Sequence, residues 1–425
     1  MKEFFQLLEK GGSAVMVVQE AVSMLKEVGF QELWFQQPWE LAEGGRYYVK
    51  HHDTALFAFT IGDKQDTGGT VRIGAAHTDF PCLRVKPKPD VSTLGYAQVN
   101  VEVYGGAILN TWLDRPLGIS GRVALQSEDV LRPEIRYISV GRPLLVIPNL
   151  AIHMDREINK GKALNKQTDM MPILGLLEEG LTKDDTLMQF LAEELQVEKE
   201  RILDYELWVY CQETPCCLGV RDEFVLSPRL DNLTSVYALL KGIIQAKRGC
   251  GVNVAAFFDH EEVGSHTKQG AGSLLLLNLL DKIHDSLGKT SVQSRENLYD
   301  ALLLSMDVAH GLHPNQIGKM DVTNQPVLGK GVCIKEAASQ SYATDCEAIA
   351  IVEQICKSCG IPYQKFVNRS DMQGGGTLGS IASSILPIRT IDVGIALLAM
   401  HSAVETMGKA DLHSLVDLSK AFFTL

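Results

Sequence analysis

The run from Val252 to Phe258, Val-Asn-Val-Ala-Ala-Phe-Phe, is apolar on both faces and stops directly at Asp259-His260-Glu261-Glu262. A strand of that kind belongs inside a sheet covered by helices on each side. Three acids and a histidine at its end are costly there unless they are solvated, paired or bound to a cation. The fold therefore has to set a charged cluster at the rim of a buried sheet.

Other segments fit the same plan. Val71–Ala76, Ala301–Met306 and Ile388–Val393 read as further short buried strands. From Ser13 to Val28 the apolar residues recur at helical spacing, and Gly29 ends the run as a helix C-terminal glycine. Leu233, Val236, Leu240, Ile243 and Ile244 share one helical face. At 425 residues the chain exceeds one ordinary domain. The alternation predicts an α/β domain from residues 1–90 and 215–425. Between them, residues 91–214 carry strand-like runs (Gln98–Tyr104, Gly121–Leu125, Glu206–Tyr210) broken by Gly and Pro, and an acidic helical segment near Leu187–Val197. This stretch reads as an inserted β-rich domain. There is no internal repeat and no low-complexity segment.

Five signals carry chemistry. In His77-Thr78-Asp79, residues i and i+2 of an extended segment point to one side. The histidine can bind a metal while the aspartate holds its other ring nitrogen. Taken alone, such a pair is common on surfaces and in cores. Asp231, in Pro-Arg-Leu-Asp-Asn, is either a helix N-cap or a carboxylate able to bridge two metal ions. The adjacent Glu261 and Glu262 allow a division of labour, one ligating metal and the other free as general base. Asp307 and His401 each follow an apolar run. Ligands in open α/β sheets gather at the carboxyl ends of strands, and four such ends here deliver metal-compatible groups. Asp231, Glu262 and Asp307 bring three negative charges against the four of two Zn²⁺. Oxygen and imidazole donors without thiolate suit a hydrolytic zinc pair.

Composition excludes some classes. With 52 acidic and 40 basic residues the net charge is −12, and no long basic run exists. Nucleic acid and anionic membranes are therefore not expected as partners. Charges interrupt every apolar stretch of the N-terminus before a signal-peptide core forms. The apolar block around Leu274–Leu277 is too short to span a bilayer. Nine cysteines, an odd number scattered along the chain, read as reduced thiols and a cytoplasmic location.

The runs AHTDFPCLRVKP, PRLDN, DHEEVGS, SMDVAHGLHPN, GVCIKEAASQSYATD and LAMHSAVETMG, in that order, resemble the aspartyl aminopeptidase family of co-catalytic zinc peptidases. The resemblance spans nearly the whole chain. It implies a phosphorylase/hydrolase-like catalytic domain, a central mixed β-sheet flanked by helices, with an inserted β-rich dimerisation domain. It implies two Zn²⁺ per subunit, with Co²⁺ or Mn²⁺ as alternatives: His77 and Asp307 on one, Glu262 and His401 on the other, Asp231 bridging. Glu261 is then the general base and Asp79 the partner of His77, while His310, Lys335 and Tyr342 contact substrate. His153, in PNLAIHMDRE, matches a family histidine that reaches the active site of a neighbouring subunit. Peptides with a free N-terminus, preferably Asp or Glu, are the expected substrates, and a dimer-based dodecamer the expected assembly. One departure is Glu336, an acid directly beside the anion-binding lysine.

Two rival readings remain. Gly374-Gly375-Gly376-Thr377-Leu378-Gly379 fits G-x-G-x-x-G, with Asp392 following, as in NAD(P)-dependent oxidoreductases. But Asn368-Arg369-Ser370-Asp371 separates these glycines from the preceding strand, so a loop lining a peptidase cleft explains them better. Cys356-x-x-Cys359 has no second pair nearby, and Gly360 makes it a helix end.

Overall fold

The computed structural model describes residues 1–63, 70–177 and 185–425. Their strands form two sheets, one of thirteen strands and one of six. At the centre of the larger sheet, Val252–Phe258, Val71–His77, Leu302–Met306 and Arg389–Leu398 lie side by side and parallel, in that order. Antiparallel strands complete the sheet, so it is mixed.

The expected buried strands therefore form, and their side chains alternate between two apolar layers. Ile73, Ala75, Val254, Ala256 and Leu303 join the helices Leu275–Ser286 and Leu378–Ile385 on one face. Ala76, Ala255, Phe257, Leu302 and Leu304 join Ala14–Glu27, Leu230–Gln245 and Lys409–Thr424 on the other. Packing at Gly74 is so close that a Cβ there would lie 2.3 Å from Leu239 Cδ2. Each large apolar side chain removed from water here contributes roughly 1.5–3 kcal/mol. The predicted helix after Ser13 runs from Ala14 to Glu27, and Gly29 adopts the left-handed φ of +87° that a helix end needs.

The six-stranded antiparallel sheet takes its strands from between Cys82 and Cys211. The sequence placed the start of this region at residue 91. Pro87 and Pro89 sit where the register shifts between Val85 and Asp90, at a bulge that needs no ladder donor. The strand Cys82–Thr93 thus continues almost directly from His77 into the smaller sheet.

All nine cysteines carry free thiols. Cys356 is buried and Cys359 exposed on the helix Cys346–Cys359, which ends at Gly360. No helix among the described residues is long and apolar enough to cross a membrane.

Candidate metal centre

Because the four central strands are parallel, their carboxyl ends share one rim. His77 is the last residue of its strand, and Glu261 and Glu262 lie in the turn after Phe258. Asp307 directly follows Met306, and His401 follows Leu398 by three residues. Asp231 comes from the opening of Leu230–Gln245, where φ −80° and ψ 107° depart from helical values. The cap position of this helix is Arg229, two residues earlier, so Asp231 is not its N-cap. Asp231 is instead buried against the strand ends.

Among the described residues the donor atoms fall into three overlapping groups, of which two share Asp231 and the third joins His77, Glu261 and Glu262. Asp231 Oδ1 lies 3.5 Å from His77 Nε2, which is 3.7 Å from Asp307 Oδ1. Its Oδ2 lies 3.2 Å from His401 Nε2, which is 3.5 Å from Glu262 Oε2. Glu261 Oε2 stands 4.0 Å from His77 Nε2. Ligands at 2.0–2.1 Å from a tetrahedral zinc stand roughly 3.3 Å apart, so these separations suit a cation in each of the two sets around Asp231.

The electrostatics point the same way. Among the described residues, buried Asp231 Oδ1 and Glu262 Oε1 accept no hydrogen bond. Burial pushes the Glu261 carboxyl up to about 8 and Glu262 well above its usual range, with Asp231 and other acids adding to the effect. Burial opposes charge on His77 and His401, yet the surrounding carboxylates outweigh it and raise both imidazoles. Clustered acids behave in this way until a cation compensates them. The residues present thus fit a pair of divalent ions.

Neighbouring groups fix the cluster. Asp79 accepts the backbone N–H groups of Glu261 and Glu262, both at 3.1 Å, and its Oδ1 lies 3.4 Å from His77 Nδ1. Two residues escaped the sequence reading. Tyr104 donates its hydroxyl to Asp79 Oδ2 at 2.7 Å, and Glu405 accepts from the backbones of Asp231 and His401. Tyr104 comes from the smaller sheet and offered no local signal. Glu405 stands four residues after His401, an acid in an otherwise apolar stretch, which was the one available hint.

Beside this cluster opens a cavity of about 700 Å³. His310, Lys335 and Tyr342 line it, as does the glycine run at 374–376. The glycines therefore border the same cavity as the acids and histidines. The Lys335 side chain is only 2% exposed; its Nζ donates to the carbonyls of Asp307 and Val308 at 3.2 and 3.0 Å and stands 3.5 Å from Asp307 Oδ2. It also lies 4.9 Å from the Tyr342 ring centroid. His153 is not brought to this cavity. It sits exposed in a turn of the insert.

Comparison with known proteins agrees with this geometry. Residues 7–423 match the family model described as aminopeptidase I zinc metalloprotease (M18). A probable M18 family aminopeptidase 2 of Clostridium novyi is 42% identical over 100% of this chain and 98% of its own. Aspartyl aminopeptidase 4 of Saccharomyces cerevisiae is 37% identical, over 99% of this chain and 94% of its own. A chain in the cryo-EM structure of the Ape4 and Nbr1 complex superposes with a TM-score of 0.95 at 34% identity, covering 100% of this chain and 85% of that one. With its acids and histidines gathered at one sheet rim and the match running almost end to end, the chain belongs to the M18 family of zinc aminopeptidases.

Proposed function

We propose that this aminopeptidase removes single N-terminal residues from peptides, Asp and Glu by preference, and that it does so with two zinc ions per subunit. The observation that carries the reading is Asp231, whose two oxygens face two separate sets of donors. His77 and Asp307 would hold one ion, Glu262 and His401 the other. Co²⁺ or Mn²⁺ could occupy the same oxygen and nitrogen donors. Bound zinc would supply Lewis acidity toward water and the scissile carbonyl.

The chain's own residues do the rest. Glu261 takes no place in either three-residue set around Asp231, and burial raises its proton affinity, so the ionised carboxylate that bound cations would restore is a strong proton acceptor. It would accept a proton from the attacking water and return it to the leaving amine. Lys335 and Tyr342 line the cavity beside Asp307, where an acidic side chain would meet a fixed positive charge. The yeast relative named an aspartyl aminopeptidase supports that preference. His310, which also lines the cavity, would contact the substrate as well.

The stretch 91–214 would act as a dimerisation domain in a dodecamer, with His153 completing a neighbouring subunit's site. Among the exposed residues around it, Leu150, Ile152 and Met154 form an apolar group suited to burial in such an assembly. The nine free cysteines support a cytoplasmic location for the enzyme.

A panel of aminoacyl chromogenic substrates, run with chelator and with zinc added back, tests the proposal. Asp and Glu substrates should be cleaved fastest, and activity should vanish with chelator and return with zinc. Faster cleavage of Leu or Lys substrates would overturn the acidic preference.

A further inference from the structure

The segment leaving the strand Tyr96–Tyr104 of the smaller sheet runs directly past the metal centre. Tyr104 donates to Asp79 Oδ2 at 2.7 Å, while the two oxygens of Asp79 receive the Glu261 and Glu262 N–H groups. Gly105 has φ +71°, and a Cβ there would lie 3.2 Å from Glu262 Cβ. The Gly106 carbonyl stands 3.3 Å from His401 Nδ1. A carbonyl only accepts, so this contact places the proton on Nδ1 and leaves Nε2 free to ligate. Ile108 donates its N–H to the His401 carbonyl at 2.9 Å, and Thr111 Oγ1 accepts the Ala403 N–H at 2.8 Å.

These contacts reach both halves of the cluster from one short piece of chain. The position of Tyr104 is in turn set by the smaller sheet. Its ring meets Trp208 edge-on at 4.9 Å, and the Arg84 guanidinium lies over Trp208 at 5.3 Å.

We propose that residues 104–111 are a positioning strap through which the insert's sheet sets how tightly the centre binds zinc. The proposal rests on the metal reading given above. Tyr104 acts through Asp79 on the turn carrying Glu261 and Glu262. Gly106 acts on the orientation and tautomer of His401. Partners that orient a metal ligand typically change metal affinity ten- to a hundred-fold when lost. The strap thus makes the insert part of the zinc site, although no ligand lies within it.

The test uses the full chain with Tyr104→Phe, which removes only the hydroxyl, and Gly106→Ala, whose Cβ would press on His401 Nδ1 from 3.1 Å. Zinc content is followed through a graded chelator titration, and melting temperature is measured with and without zinc. Each variant should release zinc at about ten-fold lower chelator or less, and the rise in melting temperature on adding zinc should shrink. The metal-free melting temperature should fall by less than the zinc-bound one, since only the small cost of the lost contact applies there. Wild-type zinc retention in both variants would overturn the strap alone. Equal destabilisation with and without zinc would reduce it to ordinary packing. A wild-type chain that binds no zinc would remove the metal reading and the strap with it.

Discussion

Glu405 accepts the backbone N–H of Asp231 through Oε2 at 3.0 Å, and its other oxygen accepts the N–H of His401 at 2.8 Å. One buried carboxylate thus fixes the main chain at two positions of the centre that are 170 residues apart in sequence. An amide cannot repeat this, because its NH₂ would face one of the two N–H donors. Glu405→Gln should leave a buried donor unpaired, costing about 1–3 kcal/mol of stability. Zinc affinity should fall as well, by roughly ten-fold or more. Thermal melts and chelator titration read the two effects separately. Unchanged zinc affinity would show that the clamp is not needed for the centre.

Glu261→Gln probes the proton acceptor. The side chain should keep its shape and the centre its zinc, while kcat falls by a factor on the order of 10² to 10⁴. Metal analysis of the purified variant accompanies the kinetics. Near-normal turnover with zinc bound would end the assignment.

Much of this centre was legible because its residues lie where periodic apolar runs stop. Val252–Phe258 is a buried strand by composition alone, so the acids after it had to be explained. The same logic reached His77, Asp307 and His401. Tyr104 was not legible, because its hydroxyl meets Asp79 only through the docking of the smaller sheet. The start of that sheet at Cys82 was not legible either, because Pro87 and Pro89 sit at a bulge within one continuous strand. The surroundings of Lys335 were hidden too. Nothing in Lys-Glu-Ala-Ala shows that its ammonium already faces the Asp307 and Val308 carbonyls.

That environment sharpens the specificity test. Lys335 faces Asp307 as well as the cavity, so Lys335→Ala should slow every substrate by loosening Asp307. If the ammonium also reads an acidic side chain, Asp and Glu substrates lose a further charge-assisted contact worth roughly 1.5–3 kcal/mol. The expected result is a common loss plus an additional ten- to 150-fold loss, by about that energy, in kcat/KM for acidic substrates only. Equal losses on Asp and Leu substrates would leave Lys335 a support for Asp307.

Asp411 supplies a pH test away from the metal centre. It accepts the N–H groups of Gly329 and Gly331 at 2.6 and 2.7 Å, yet burial outweighs these bonds and pushes its carboxyl up to about 6. The folded chain therefore keeps this proton to a higher pH than the unfolded chain, whose carboxyl titrates near 3.8. Between those values the unfolded state binds fewer protons, so stability falls as pH rises, by up to roughly 3 kcal/mol from this residue. Asp411→Asn should lack that decline. The melting-temperature gap between wild type and variant should narrow from pH 4 to pH 6 and stay level above it. A gap independent of pH would sink the prediction.

His153 decides whether the sites are shared. It is exposed on the insert and absent from its own cavity, so a role in the reaction needs a second subunit. Each single variant, His153→Ala or Glu261→Gln, then damages every site of its own homo-oligomer. In a mixed assembly some cavities pair an intact Glu261 with a His153 from the other kind of subunit, and those cavities lack nothing. Co-expressed chains with distinct tags, purified through both, should therefore recover activity above either parent. Random mixing limits the recovery to the fraction of such pairs, about a quarter of sites for equal amounts, which the substrate panel resolves easily against parents reduced 10²-fold or more. Verified mixed oligomers with no recovery would confine His153 to a structural place in the insert.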